Sequence, residues 1–164
     1  MLAAHFKDEG KNIEVASATD AGDVKRTRDT GRYLNVPISI VEKHRIGNND
    51  RVEAMSLIGE VEGKTALVVD DEIGTGGTVV ATANVLREHG AEEIYCAVTH
   101  PVLAGEASKL LDDSIVSEIV VTDTMPVPPE KMGPKIKVIS MAPMLGEAIH
   151  RIHSGLSVGA MYDA

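Results

Sequence analysis

Apolar runs and helical patterns alternate along the chain from end to end. Met1–Glu9 carries a helical pattern, and Ile13–Ala18 reads as a short strand. Val24–Leu34 is a polar, largely exposed helix, followed by a strand at Ile38–Val41. Lys43–Arg51 is charged, contains Gly and Asn and has no apolar period, which predicts a mobile loop. Glu53–Ile58 reads as a strand before the turn at Glu62–Lys64. Ala66–Val69 is uniformly apolar, the mark of a strand buried on both faces of a parallel sheet. A helix of about Thr78–His89 follows, closed by Gly90 just past its end. Ile94–Val98, Ile119–Val121 and Lys135–Ile139 repeat the strand pattern, with a helix at Gly105–Leu111 between the first two. The last helix repeats Leu145, Ala148, Ile149 and Ile152 at i, i+3, i+4 and i+7, which predicts one stripe facing a core. Such alternation predicts a single α/β domain, a mostly parallel central sheet with helices on both faces.

At 164 residues the chain fits one domain, with no repeat, low-complexity tract or linker to divide it. A domain of that size buries roughly 70% of its unfolded surface and needs neither disulfide nor metal to fold. A net charge of −9 argues against a nucleic-acid or anionic-membrane binder, though not against a local phosphate site. Aromatic residues are 2% of the chain, too few for base-stacking platforms. The single cysteine, Cys96, excludes an internal disulfide and fits a reducing, cytoplasmic setting; in an apolar strand it is expected to be inert. No run approaches the ~18 apolar residues of a membrane span, and Met1–Gly10 lacks a signal-peptide core.

In parallel α/β sheets ligands sit beyond the carboxyl ends of the strands, so the loops after strands carry the candidates. The richest is Ala66-Leu-Val-Val-Asp-Asp-Glu-Ile-Gly-Thr-Gly-Gly-Thr78. Gly74, Gly76 and Gly77 permit positive φ and close backbone approach, and the N–H groups of Thr75–Thr78 can converge on an anion at a helix start. Asp70 and Asp71 are acceptors suited to sugar hydroxyls or, through water, to a divalent cation. Phosphate at one end and a diol or metal at the other describes a sugar-phosphate site. The rival phosphate loops fail: no G-x-x-x-x-G-K-[ST] occurs, and a G-x-G-x-x-G from Gly74 would need glycine where Val79 stands.

Ala66–Thr78 resembles the ribose-phosphate-binding signature of the type I phosphoribosyltransferase fold, and the rest of the chain resembles the C-terminal half of the ribose-phosphate pyrophosphokinases. Supporting stretches are Ala18–Gly22 with Lys25-Arg26, Lys43-His-Arg45, Val98–Gly105, Val121–Pro126 and His153–Val158. The resemblance implies transfer of pyrophosphate from Mg-ATP to the C1 hydroxyl of ribose 5-phosphate, giving PRPP and AMP. It implies that Asp70 and Asp71 hold the ribose hydroxyls, that Gly74, Thr75, Gly76, Gly77 and Thr78 grip the 5-phosphate, and that Lys43 and Arg45 close over the transferring phosphates. Asp20 matches an aspartate that helps hold Mg²⁺, with a plain Asp-x-Gly turn as the competing reading. Thr122–Thr124 can line the base of the site or simply turn a strand end.

Two positions depart from the family's Pro-Asp-x-Gly-Gly segment. Thr19 replaces the proline, and Asp23 replaces the second glycine, adding negative charge where a pyrophosphate would approach. An N-terminal half, which in the family supplies the adenine pocket and a metal-ligating His, has no counterpart in these residues. The implied partners are ribose 5-phosphate, ATP and PRPP, with a homo-oligomer or pairing with that other half. Two further readings are a phosphoribosyltransferase that consumes PRPP and a base, and a non-catalytic regulatory subunit. His150 and His153 suit a helix end better than a metal pair, and His100 reads as an ordinary loop histidine.

Overall fold

The computed structural model describes residues 1–45 and 53–161. Seven strands form one sheet: β1 (Val15–Ala18), β2 (Ile38–Arg45), β3 (Glu53–Ile58), β4 (Thr65–Ile73), β5 (Glu93–Pro101), β6 (Glu118–Thr122) and β7 (Ile136–Ile139). Their order is β3-β2-β1-β4-β5-β6-β7, and every neighbouring pair is parallel except the β2–β3 hairpin. Five helices, α1 (Leu2–Asp8), α2 (Val24–Leu34), α3 (Gly77–Glu88), α4 (Ala107–Asp112) and α5 (Ala142–His153), complete the α/β domain that the alternation predicts.

The central strands carry uninterrupted apolar runs, Ala66–Val69 in β4, Ile94–Val98 in β5 and Ile119–Val121 in β6, because both faces of the sheet are covered there. Val15, Val68, Cys96 and Val121 point into one core with Leu86 of α3 and Leu111 of α4. Their neighbours Ala16, Leu67, Ala97 and Val120 point into the other, with Phe6 of α1. The alternation of side chains across a pleated strand thus assigns successive residues to opposite layers. α3 ends as expected. Gly90 takes φ 89°, its N–H donates to Arg87 and that of Ala91 to Leu86, so the last carbonyls are satisfied in a Schellman turn.

Three expectations need correction. The Lys43–Arg51 loop begins later than its composition suggests, because Lys43, His44 and Arg45 pair with Met55, Ala54 and Glu53 in the hairpin. Residues 46–52 lie outside the described residues. β4 does not end at Val69: its pairing with β5 continues through Glu72–His100 and Ile73–Pro101, so Asp70 and Asp71 are strand residues. Finally, the stripe on α5 faces no core. Leu145, Ile149 and Ile152 are 53%, 67% and 69% exposed, and no residue of the helix is buried. Periodicity shows that one face is apolar, and the described residues supply nothing that covers it.

These environments separate the effects of two substitutions. Leu111→Ala empties a fully buried site and should cost ~2–5 kcal/mol of unfolding free energy. Ile149→Ser, on the exposed stripe, should change it by less than about 0.5 kcal/mol. Urea unfolding of both variants checks the pair.

Candidate sugar-phosphate site

The carboxyl edge of β4 leads directly into the start of α3, and the stretch Asp70–Gly76 with Thr78 and Val79 lines a cavity of about 320 Å³. The glycine-rich end of this cavity is built from backbone. Gly76, the residue capping α3, takes φ 82°, a region that costs an L side chain strain, and a Cβ there would also press within 3.3 Å of Leu111. Gly74 and Gly77 do not use positive φ. A Cβ on Gly74 would meet nothing within 4 Å, and one on Gly77 only the Thr75 hydroxyl, so both leave open space beside the loop.

The loop is held from behind. Leu103 N–H donates to the Ile73 carbonyl at 2.9 Å and Ala104 N–H to the Gly74 carbonyl at 2.8 Å. Leu103 does so from φ 48°, fully buried, a conformation that costs a branched residue ~1–2 kcal/mol. Lys131, in the 3₁₀ turn Pro129–Lys131, donates its Nζ to the Leu103 carbonyl at 2.5 Å. Neither Leu103 nor Lys131 stands out from sequence, since backbone support leaves no side-chain pattern.

The carboxylate end is built from side chains. Asp70 is only 7% exposed; its Oδ1 accepts the Asp71 N–H at 2.7 Å and its Oδ2 lies 3.1 Å from the Thr19 hydroxyl. Asp71 is exposed. Asp23, Asp70 and Asp71 each bring a carboxylate oxygen within 4.8 Å of the others. Arg26 tempers that charge: one guanidinium nitrogen is paired with Asp23, and the other lies 3.5 Å from Asp71. Burial, and then the charge of Asp23, push the Asp70 carboxyl up to about 6. Asp23 and Arg26 are the site residues that sequence patterning undervalues, because their contacts with β4 span about 50 positions of chain.

The other candidates are placed as follows. Asp20 is exposed and caps its own turn, Oδ1 accepting from Gly22 N–H at 2.6 Å and Asp23 N–H at 3.2 Å. Lys43 and Arg45 belong to β2, which runs parallel to β1 and past its end, toward the edge where β4 presents its carboxylates; their side chains lie outside the described residues. The Thr122 hydroxyl donates to the Thr99 carbonyl at 2.6 Å, a strand-end turn, and His100 Nδ1 lies 2.9 Å from the Thr124 hydroxyl. His150 and His153 are exposed on α5 and join no ligand cluster among the described residues. Cys96 is fully buried, and burial pushes its thiol up, so it stays protonated. No helix among the described residues is long and apolar enough to cross a membrane.

With the geometry in place, residues 6–163 match the Phosphoribosyl synthetase-associated domain family. The chain belongs to that family. As a phosphoribosyl synthetase-associated domain it is 46% identical over 164 residues to a ribose-phosphate pyrophosphokinase of Caldanaerobacter subterraneus, covering 99% of this chain and 51% of the relative. The chain spans about half the length of the curated relatives it matches. Among solved structures it superposes on phosphoribosylpyrophosphate synthetase from Mycobacterium smegmatis with a TM-score of 0.83 and 30% identity, over 94% of this chain and 49% of that one. An APRTase from Giardia lamblia complexed with 9-deazaadenine gives a TM-score of 0.60 at 14% identity, over 85% of this chain and 74% of that one, a likeness of fold alone.

The raised Asp70 carboxyl sets a pH dependence. On unfolding it returns to the ordinary value of 3.8, so between 3.8 and about 6 the folded chain holds more protons than the unfolded one. Stability contributed by Asp70 therefore falls as pH rises through that interval. Asp70→Asn should remove this slope while leaving Asp23, Asp71 and Arg26 in place. The check is the difference between wild-type and variant urea midpoints across that interval.

Proposed function

We propose that this phosphoribosyl synthetase-associated domain is the sugar-phosphate half of a ribose-phosphate pyrophosphokinase, acting in transfer of pyrophosphate from ATP to the C1 hydroxyl of ribose 5-phosphate to give PRPP and AMP. The observation that carries this reading is one cavity with paired carboxylates at one end and a glycine-rich helix start at the other. Gly74–Thr78 would hold the 5-phosphate with backbone N–H groups and the favourable end of the α3 dipole. Asp70 and Asp71 would accept from the ribose hydroxyls, orienting the ring so that C1 faces the incoming pyrophosphoryl group. Lys43 and Arg45, from the hairpin on the same edge of the sheet, would neutralise charge developing on the phosphate oxygens, where most of the catalysis in phosphoryl-type transfer arises.

The donor chemistry suits Mg²⁺. Asp20 is an exposed hard-oxygen ligand with Oδ1 committed to its turn, which leaves Oδ2 for a cation whose other ligands would be water and phosphate oxygens. When bound, the ion supplies charge neutralisation to the phosphates. The exposed apolar stripe of α5 supports association, with a second copy or with the portion of the relatives that these residues do not span. A base-transferring enzyme or a regulatory subunit is not favoured, since relatives above 40% identity carry the pyrophosphokinase name while the phosphoribosyltransferase likeness is one of fold.

Calorimetric titration with ribose 5-phosphate tests the reading. Saturable binding is expected, weakened ~tenfold or more by Asp71→Asn through loss of a charged hydrogen bond to the sugar. Absence of binding, or an Asp71→Asn variant that binds like wild type, would overturn it.

A further inference from the structure

The two departures from the family's segment, Thr19 and Asp23, meet each other in the fold. Thr19 is 1% exposed, and its hydroxyl lies 2.8 Å from Asp23 Oδ2 and 3.1 Å from Asp70 Oδ2. One hydroxyl proton serves one acceptor at a time, so the two carboxylates share a single donor and are drawn to a common point. A proline at 19 has no hydroxyl, and a glycine at 23 has no carboxylate. Asp23 pairs in turn with Arg26, whose second nitrogen lies 3.5 Å from Asp71 Oδ2. Asp71 closes the circuit through its N–H to Asp70 Oδ1 at 2.7 Å. Asp70, Thr19, Asp23, Arg26 and Asp71 form a closed ring of contacts around the two strand-end carboxylates.

We propose that Thr19 and Asp23 are positioning residues of the sugar site: through this ring they set the orientations of Asp70 and Asp71 for a ribose diol without touching the sugar themselves. This role rests on the ribose 5-phosphate reading above. Both oxygens of Asp70 are engaged by the ring, and removing the Thr19 hydroxyl leaves a buried carboxylate oxygen without its donor, free to turn toward any other partner. Arg26, with a side chain 41% exposed, adds little stability by its ion pairs alone. It offsets the charge that Asp23 brings, so an anionic ligand meets a carboxylate already paired.

The test is calorimetric titration of the full chain with two probes, ribose 5-phosphate and inorganic phosphate, for wild type, Thr19→Val and Thr19→Ser. Thr19→Val should weaken ribose 5-phosphate by roughly tenfold, the effect of one hydrogen bond to a charged group, and leave inorganic phosphate unchanged; Thr19→Ser should restore the sugar affinity. If Thr19→Val does not fold, Asp23→Gly, which breaks the ring at a different point, should show the same selective loss. Unchanged ribose 5-phosphate affinity, equal loss of both probes, or failure of serine to rescue would overturn the role. The ¹³C carboxyl resonances of Asp70 and Asp23 give a readout that needs no ligand: they should move in Thr19→Val and return in Thr19→Ser. Resonances that respond this way in a chain blind to ribose 5-phosphate would support the ring and sink the sugar reading instead. Resonances that stay put in Thr19→Val would sink the ring.

Discussion

A carboxylate kept almost entirely out of water makes demands on everything near it. Asp70 sits on a central strand, paired with Val98 of β5 on one side, and its two oxygens must find donors within the protein. One comes from the next peptide, the other from the segment leaving β1. That segment therefore folds back over the sheet edge through the Asp20 turn before α2 can begin, and Arg26 on the first turns of α2 is delivered to the same cluster. The path of the chain from Ala18 to Arg26 is in this sense the solvation shell of one side chain.

The two ends of the cavity are built by different means. The carboxylate end depends on side chains whose identity is everything: hydroxyl, carboxylate and guanidinium in a fixed circuit. The glycine-rich end depends on backbone shape, with Gly76 at φ 82° in front and buried Leu103 at φ 48° behind. Strain at Leu103 is tolerated because its N–H and its carbonyl both find partners, the first on the loop and the second on Lys131. A loop stiffened in this way holds its N–H groups in one arrangement with little left to reorganise.

Much of the architecture was legible from sequence, for reasons that also explain where legibility stops. α2 and β3 have the bounds their patterns predict, because one is a polar helix with few buried positions and the other a clear strand after a charged stretch. β4 runs past its apolar stretch because strand pairing is a backbone property; once Thr19 supplies a donor to Asp70, nothing forces the ladder to end where hydrophobicity does. The Asp70–Thr78 constellation was readable as a unit because strand, carboxylates and glycines are contiguous. The Thr19–Asp23–Arg26 arc was not, since its meaning lies in contacts to β4 across 51 positions. The α5 stripe shows a different limit. Its period is real, but a period carries no information about whether the surface it implies is present in the same chain.

That stripe also meets the net charge of the chain wherever two copies approach. Leu145, Ile149, Ile152 and Leu156 form an exposed apolar margin on a chain whose net charge of −9 opposes the approach of a second copy. The balance is set by pH, since at the isoelectric point near 5.1 the mutual repulsion vanishes while the apolar surface is unchanged. Acidification toward that point thus removes the charge that opposes self-contact and leaves the apolar margin as it was.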